Sequence, residues 1–169
     1  TEVAGNRATP AEVLEGLAGD KSGAVRCEVA AHPATPQAVL DQLANGRNME
    51  IRAIVARNPA TGPDTLARLA KDKHRGNVYW KSQRLLLAFS HHEREILGVR
   101  LQVACNPSTP PEVLADLIDN AELIRWTAAT NKNARMRDIV RAAQIPSKES
   151  RFIHGRNYEQ ALAGHSFAF

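Results

Sequence analysis

Four arginines recur at one position of a repeated pattern: Arg26, Arg52, Arg100 and Arg125, each directly after Val or Ile. A row of guanidinium groups at regular spacing is a candidate anion-binding row. On a helical wheel with the leading Val or Ile at the origin, the arginine falls between two apolar positions. The geometry therefore favours a structural role. The stem packs while the head bonds turn carbonyls or acids such as Asp20 and Asp119. A phosphate-binding row is the lesser alternative.

A second cluster lies at Lys71, Lys73, His74, Arg75, Tyr79, Trp80, Lys81 and Arg84. Basic residues interleaved with aromatics are what a nucleic-acid strand requires, charge for phosphates and rings for bases. A solvated basic loop has the same composition. Among candidate partner contacts we therefore place Tyr79, Trp80, Lys81, Arg84, Arg57 and Trp126, although Trp126 also suits packing at the end of an array. His91-His92-Glu93 has no third ligand spaced to converge on a metal. No phosphate-cradling glycine loop, G-x-S-x-G turn or Cys/His arrangement appears, so no cofactor and no catalytic residue is implied.

The elements that position these residues follow one plan. Val99-Arg100-Leu101-Gln102-Val103-Ala104-Cys105-Asn106-Pro107-Ser108-Thr109-Pro110 is matched by Ile51 to Thr61, Val25 to Pro36 and Ile124 to Asn131. Successive Val/Ile-Arg pairs lie 26, 48 and 25 residues apart, and a period near 25 is the signature of a stacked helical array. Thr9, Thr35, Thr61 and Thr109 read as N-caps of a first helix, with Glu12 and Glu112 completing capping boxes. Leu14, Leu40, Leu66 and Leu114 mark its buried face. A second, shorter helix starts at the Val/Ile-Arg pair and ends at His32-Pro33, Asn58-Pro59 or Asn106-Pro107. Its third and sixth residues past the lead, among them Glu28, Ile54, Arg57, Gln102 and Cys105, face outward on the wheel.

The combined pattern Val-Arg-x-x-Val-Ala-x-Asn-Pro-x-Thr-Pro-x-x-x-Leu-x-x-Leu-Ala resembles the variant leucine-rich repeat, known mainly from bacteria. The resemblance covers about residues 9–70 and 99–143. It implies a right-handed superhelix of alternating α and short 3₁₀-like helices, without strands, and a binding scaffold rather than an enzyme. An iron–sulfur cluster on a separate cysteine-rich segment occurs in that family. This chain has no such segment, and the cluster is not carried over.

The expectation is thus an all-α, right-handed solenoid of about five two-helix repeats over residues 9–144. A polar lead-in at 1–8 precedes it. A degenerate repeat fills about 71–98, and a final helix spans about 134–144. From 145 to 169 an aromatic tail packs back on the array. Residue 1 is Thr, which reads as a trimmed start. Cys27 and Cys105, the two cysteines, read as buried free thiols in a reducing, cytoplasmic compartment. No apolar run approaches the roughly 20 residues of a membrane span.

The charge is blockwise. Residues 71–100 carry 7 basic and 3 acidic side chains and 131–169 carry the same numbers, with an acidic stretch of 1 basic and 4 acidic at 101–130 between them. That is weaker than the single basic stripe of a dedicated nucleic-acid binder. A protein is the expected partner, with nucleic acid through residues 71–84 as the alternative.

Overall fold

The computed structural model describes residues 2–73, 98–120 and 122–145. All elements among them are helices: α1 (Glu2–Gly5), α2 (Ala11–Leu17), α3 (Gly23–Ala31), α4 (Gln37–Ala44), α5 (Met49–Arg57), α6 (Pro63–Leu69), α7 (Val99–Cys105), α8 (Pro111–Leu117), α9 (Glu122–Thr130) and α10 (Met136–Gln144). None is long enough to persist alone in water, so each depends on burying one face against its neighbours.

The contacts run in two rows. The odd-numbered helices pack in series, α1 on α3, α3 on α5, α5 on α7 and α7 on α9. The even-numbered helices α4, α6 and α8 each fit between two of them, as α4 does against α3 and α5. The leucine expected at the heart of each even helix is inaccessible to solvent: Leu14, Leu40, Leu66 and Leu114. In α8 the full apolar face Val113, Leu114, Leu117 and Ile118 is buried. In α2, by contrast, Val13 is exposed. The odd helices contribute Val25, Ile51 and Val99, then Val29, Val55 and Val103, then Ala30, Ala56, Ala104 and Ala129. The alanines are small enough to let successive odd helices approach closely.

Two expectations change. From α3 to α9 the odd helices are α-helical and seven to nine residues long, against seven or eight for α2, α4, α6 and α8. They are not the shorter or 3₁₀-like partners. Residues 2–9 are also more than a frayed lead-in. Helix α1 packs on α3 and buries Ala4. Val3-Ala4-Gly5-Asn6-Arg7-Ala8-Thr9-Pro10 follows Val103 to Pro110, with Gly5, Arg7 and Ala8 in place of Cys105, Pro107 and Ser108.

Across the 48-residue gap α5 and α7 are direct neighbours. The side chain of Asn106 reaches the carbonyls of Ala56 at 2.7 Å and Asn58 at 2.9 Å. Residues 74–97 and 146–169 lie outside the described residues, and with them the expected content of the degenerate repeat and the aromatic tail.

Candidate partner surface and the bonds behind it

Each odd helix ends in a turn built on one hydrogen-bond scheme. The turn residues are Asn6, His32, Asn58, Asn106 and Asn131. The side chain of each accepts from the backbone N–H two residues on: Ala8 at 3.0 Å, Ala34 at 3.1 Å, Ala60 at 2.9 Å, Ser108 at 2.8 Å and Asn133 at 3.0 Å. The other end of the side chain points to the preceding turn. Asn58 Nδ2 donates to Ala30 O (2.8 Å) and His32 O (3.0 Å), and Asn131 Nδ2 to Ala104 O and Asn106 O (both 2.9 Å). His32 makes the equivalent contact through Nε2 to Asn6 O at 3.0 Å. Its Nδ1 accepts the Ala34 N–H, so the proton sits on Nε2.

This ladder answers a physical need. The last carbonyls of a helix have no partner within it, and here they are buried between repeats. An amide side chain supplies two donors and one acceptor at once, which no apolar residue can do. Asn58, Asn106 and Asn131 are accordingly buried.

The threonines belong to the same scheme, and their expected role is corrected. The residues at the starts of the even helices are Pro10, Pro36, Gly62 and Pro110, with no side-chain cap at any of them. Instead each threonine hydroxyl donates six residues back, to the end of the preceding odd helix. Thr9 donates to Val3 O, Thr35 to Val29 O at 2.5 Å, and Thr61 to Val55 O and Thr109 to Val103 O, each at 2.6 Å. The extended residue that follows carries the chain onward, and the hydroxyl is left over a carbonyl of the helix just finished, which in three repeats (Val29, Val55 and Val103) also accepts the N–H of the turn residue. Glu112, expected in a capping box, pairs with Arg135 of the next repeat instead.

The arginine row is likewise tied into the turns. Arg26 Nη1 donates to Asp20 O and, at 3.2 Å, to Lys21 O. Arg52 Nη1 donates to Gly46 O at 2.8 Å, while Nε and Nη2 hold the Asp72 carboxylate at 2.6 and 3.4 Å. Arg100 Nη1 reaches Asn120 Oδ1 at 2.6 Å. Arg125 donates to Ile118 O, Asn120 O and Ile145 O at 3.1, 3.4 and 3.5 Å. Asp119 pairs with Arg141 rather than with the row.

What remains facing solvent is narrow. The last residue of the odd helix is exposed in four repeats, as Ala31, Arg57, Cys105 and Thr130. The other outward position is not uniformly open. Glu28 is exposed and Ile54 and Thr127 are intermediate, but Gln102 is buried. Arg57 thus sits where a partner contact was expected. Trp126 does not: it is only 4% exposed and belongs to the core. Tyr79, Trp80, Lys81 and Arg84 lie outside the described residues. Both cysteines are free, Cys105 exposed and Cys27 half-buried, against the expectation of two buried thiols. Burial, and next the Glu50 carboxylate, push the Cys27 thiol up to about 11.

Residues 49–74 match the family model described as leucine rich repeat variant. That stretch is similar to a leucine-rich repeat variant. That unit spans α5, the Asn58 turn, Thr61, α6 and Asp72, so one matched repeat contains a rung of the ladder, a threonine clasp and a closed arginine pair. The search of curated proteins and of solved structures found no match. Among the described residues no group of three or more His, Cys, Asp or Glu could hold a metal ion, and no helix is long and apolar enough to cross a membrane.

Proposed function

We propose that the leucine-rich repeat variant units of this chain form a right-handed solenoid of about five repeats, and that it is a non-enzymatic scaffold for a protein partner. One observation carries the reading. The Asn/His ladder, the threonine hydroxyls and the arginines Arg52, Arg100 and Arg125 are spent on joining repeat to repeat, while the exposed row Ala31, Arg57, Cys105 and Thr130 differs in character at every step. A constant frame with a variable exposed row is how repeat proteins present a binding surface.

The test places a photo-crosslinking amino acid at position 57 or 105 and, as control, at exposed position 13. Crosslinks to a discrete protein from the first two positions alone support the scaffold. The competing reading is nucleic-acid binding through residues 71–84. Micromolar oligonucleotide binding that falls steeply with salt, and is lost on Lys81→Glu with Arg84→Glu, would replace the proposal.

A further inference from the structure

The arginine row contains one open position. In three repeats the arginine bonds a residue 20 positions ahead, at the end of the next even helix: Arg52 to Asp72, Arg100 to Asn120 and Arg125 to Ile145. For Arg26 that position is Gly46, which has no side chain to offer. The turns are otherwise alike, for Gly46, Asp72 and Asn120 each donate their N–H to the leucine three residues earlier, at 3.0–3.1 Å. Among the described residues nothing accepts from Arg26 Nε or Nη2. These are the same two atoms with which Arg52 grips Asp72.

The place of the missing acceptor is hollow. A cavity of about 340 Å³ is lined by Ala18, Arg26, Gln42, Leu43, Gly46, Arg47, Asn48 and Ile51. Arg26 and Arg47 are the charged residues among them, and both are positive. Asn48 Oδ1 accepts the Glu50 N–H at 2.9 Å, and its side-chain NH2 is not used in that bond. Ala18, Leu43 and Ile51 form an apolar wall against which a short carbon stem can lie.

We propose that this cavity receives the carboxylate of an acidic side chain from a protein partner, bound by Arg26 as Arg52 binds Asp72. The source of the carboxylate rests on the scaffold reading above; the pocket itself does not. The equivalent place points to a carboxylate, for Arg52 holds that of Asp72 through the same Nε and Nη2. A guanidinium fork also fits phosphate oxygens, so phosphate is one arm of the test.

The Arg side-chain Nε–H signals of the whole chain report on this directly by NMR. The probes are sodium acetate, an acetylated and amidated Gly-Asp-Gly peptide, and inorganic phosphate, all at matched ionic strength. Acetate and peptide are expected to move the Arg26 signal saturably while that of Arg52 stays fixed. Gly46→Asp is expected to abolish the response and bring Arg26 close to the Arg52 frequency. Because a side chain at position 46 meets Leu43 O at 3.1 Å, Arg26→Lys provides a second variant. It keeps the charge, loses the paired geometry and should weaken peptide binding at least tenfold. An unmoved Arg26 signal with acetate overturns the pocket and leaves the scaffold reading standing. A response to acetate without one to the peptide overturns the protein-borne source. An equal or larger response to phosphate overturns the carboxylate assignment.

Discussion

Replacing Asn106 by alanine removes the central rung of the ladder. Three hydrogen bonds go at once: Nδ2 to Ala56 O, Nδ2 to Asn58 O, and the Ser108 N–H to Oδ1. Asn58 O keeps the Thr61 N–H as a donor, at 3.0 Å. Ala56 O sits in the last turn of α5, where helix carbonyls lack an internal partner. A net loss of about 1 kcal/mol per hydrogen bond, with a similar penalty for a buried carbonyl left without its donor, gives about 3–4 kcal/mol. For a fold whose whole stability is about 5–15 kcal/mol that is a large fraction. Urea denaturation followed by far-UV circular dichroism reads it. Asn106→His should fall between wild type and Asn106→Ala, because His32 shows that an imidazole at this position keeps one inter-turn contact and the local acceptor. Asn106→Asp should be no better than alanine, since a carboxylate offers two acceptors to two carbonyls. A cost below about 1 kcal/mol for alanine, or aspartate as good as asparagine, would refute the role assigned to the ladder.

Three further outcomes follow from the same geometry. Ala134 stands where the other repeats have threonine, three residues past Asn131, so Ala134→Thr should place a hydroxyl over Ala128 O and stabilise the last repeat by about 0.5–1.5 kcal/mol in the same assay; destabilisation would show that this turn cannot hold it. His32→Asn should leave the unfolding free energy nearly unchanged while His32→Ala lowers it by about 2 kcal/mol, and equal losses from both would contradict the equivalence of the two side chains. With its thiol near 11 against an ordinary 9.0, Cys27 should alkylate with a rate that still climbs through pH 10, whereas a plateau by pH 9 would contradict the shift. The unfolded thiol ionises first, so the folded state binds more protons above pH 9. The same residue therefore makes stability fall as pH rises past 9, a slope that Cys27→Ser should flatten.

The helices and their buried leucines were legible because their signals are local: apolar spacing, a proline that stops one element, a Thr-Pro that opens the next. The direction of the threonine hydroxyl was not. An N-cap and a back-donating hydroxyl share one sequence, and only the angle between consecutive helices separates them. The asparagines were visible as recurring residues before proline, but proline explained the helix end so well that the amide drew no separate reading. Asn131, which lacks the proline, was the clue that the amide has its own purpose. Residues 2–9 carried the repeat pattern with Arg7 for proline, and the substitution concealed it. Gln102 was expected outward because a wheel knows only one helix. In the arginine row Arg52 and Arg125 are buried, and Arg26 and Arg100 are half-buried. Which acceptor each head meets depends on a residue 20 positions away, and no local pattern predicts that Gly46 leaves one of them empty.

The rung from Asn58 to Asn106 spans 48 residues of chain, where its neighbours span 25 or 26. Closing a loop about twice as long costs only about 0.6 kcal/mol more, so this seam is nearly as strong at equilibrium as the others. Its effect falls on kinetics. Contacts between residues distant in sequence form late, because the chain entropy is lost before the contact repays it. The helices on either side can each assemble from near neighbours and then meet at Asn106. Folding of this array is therefore expected to begin in two places and finish in one.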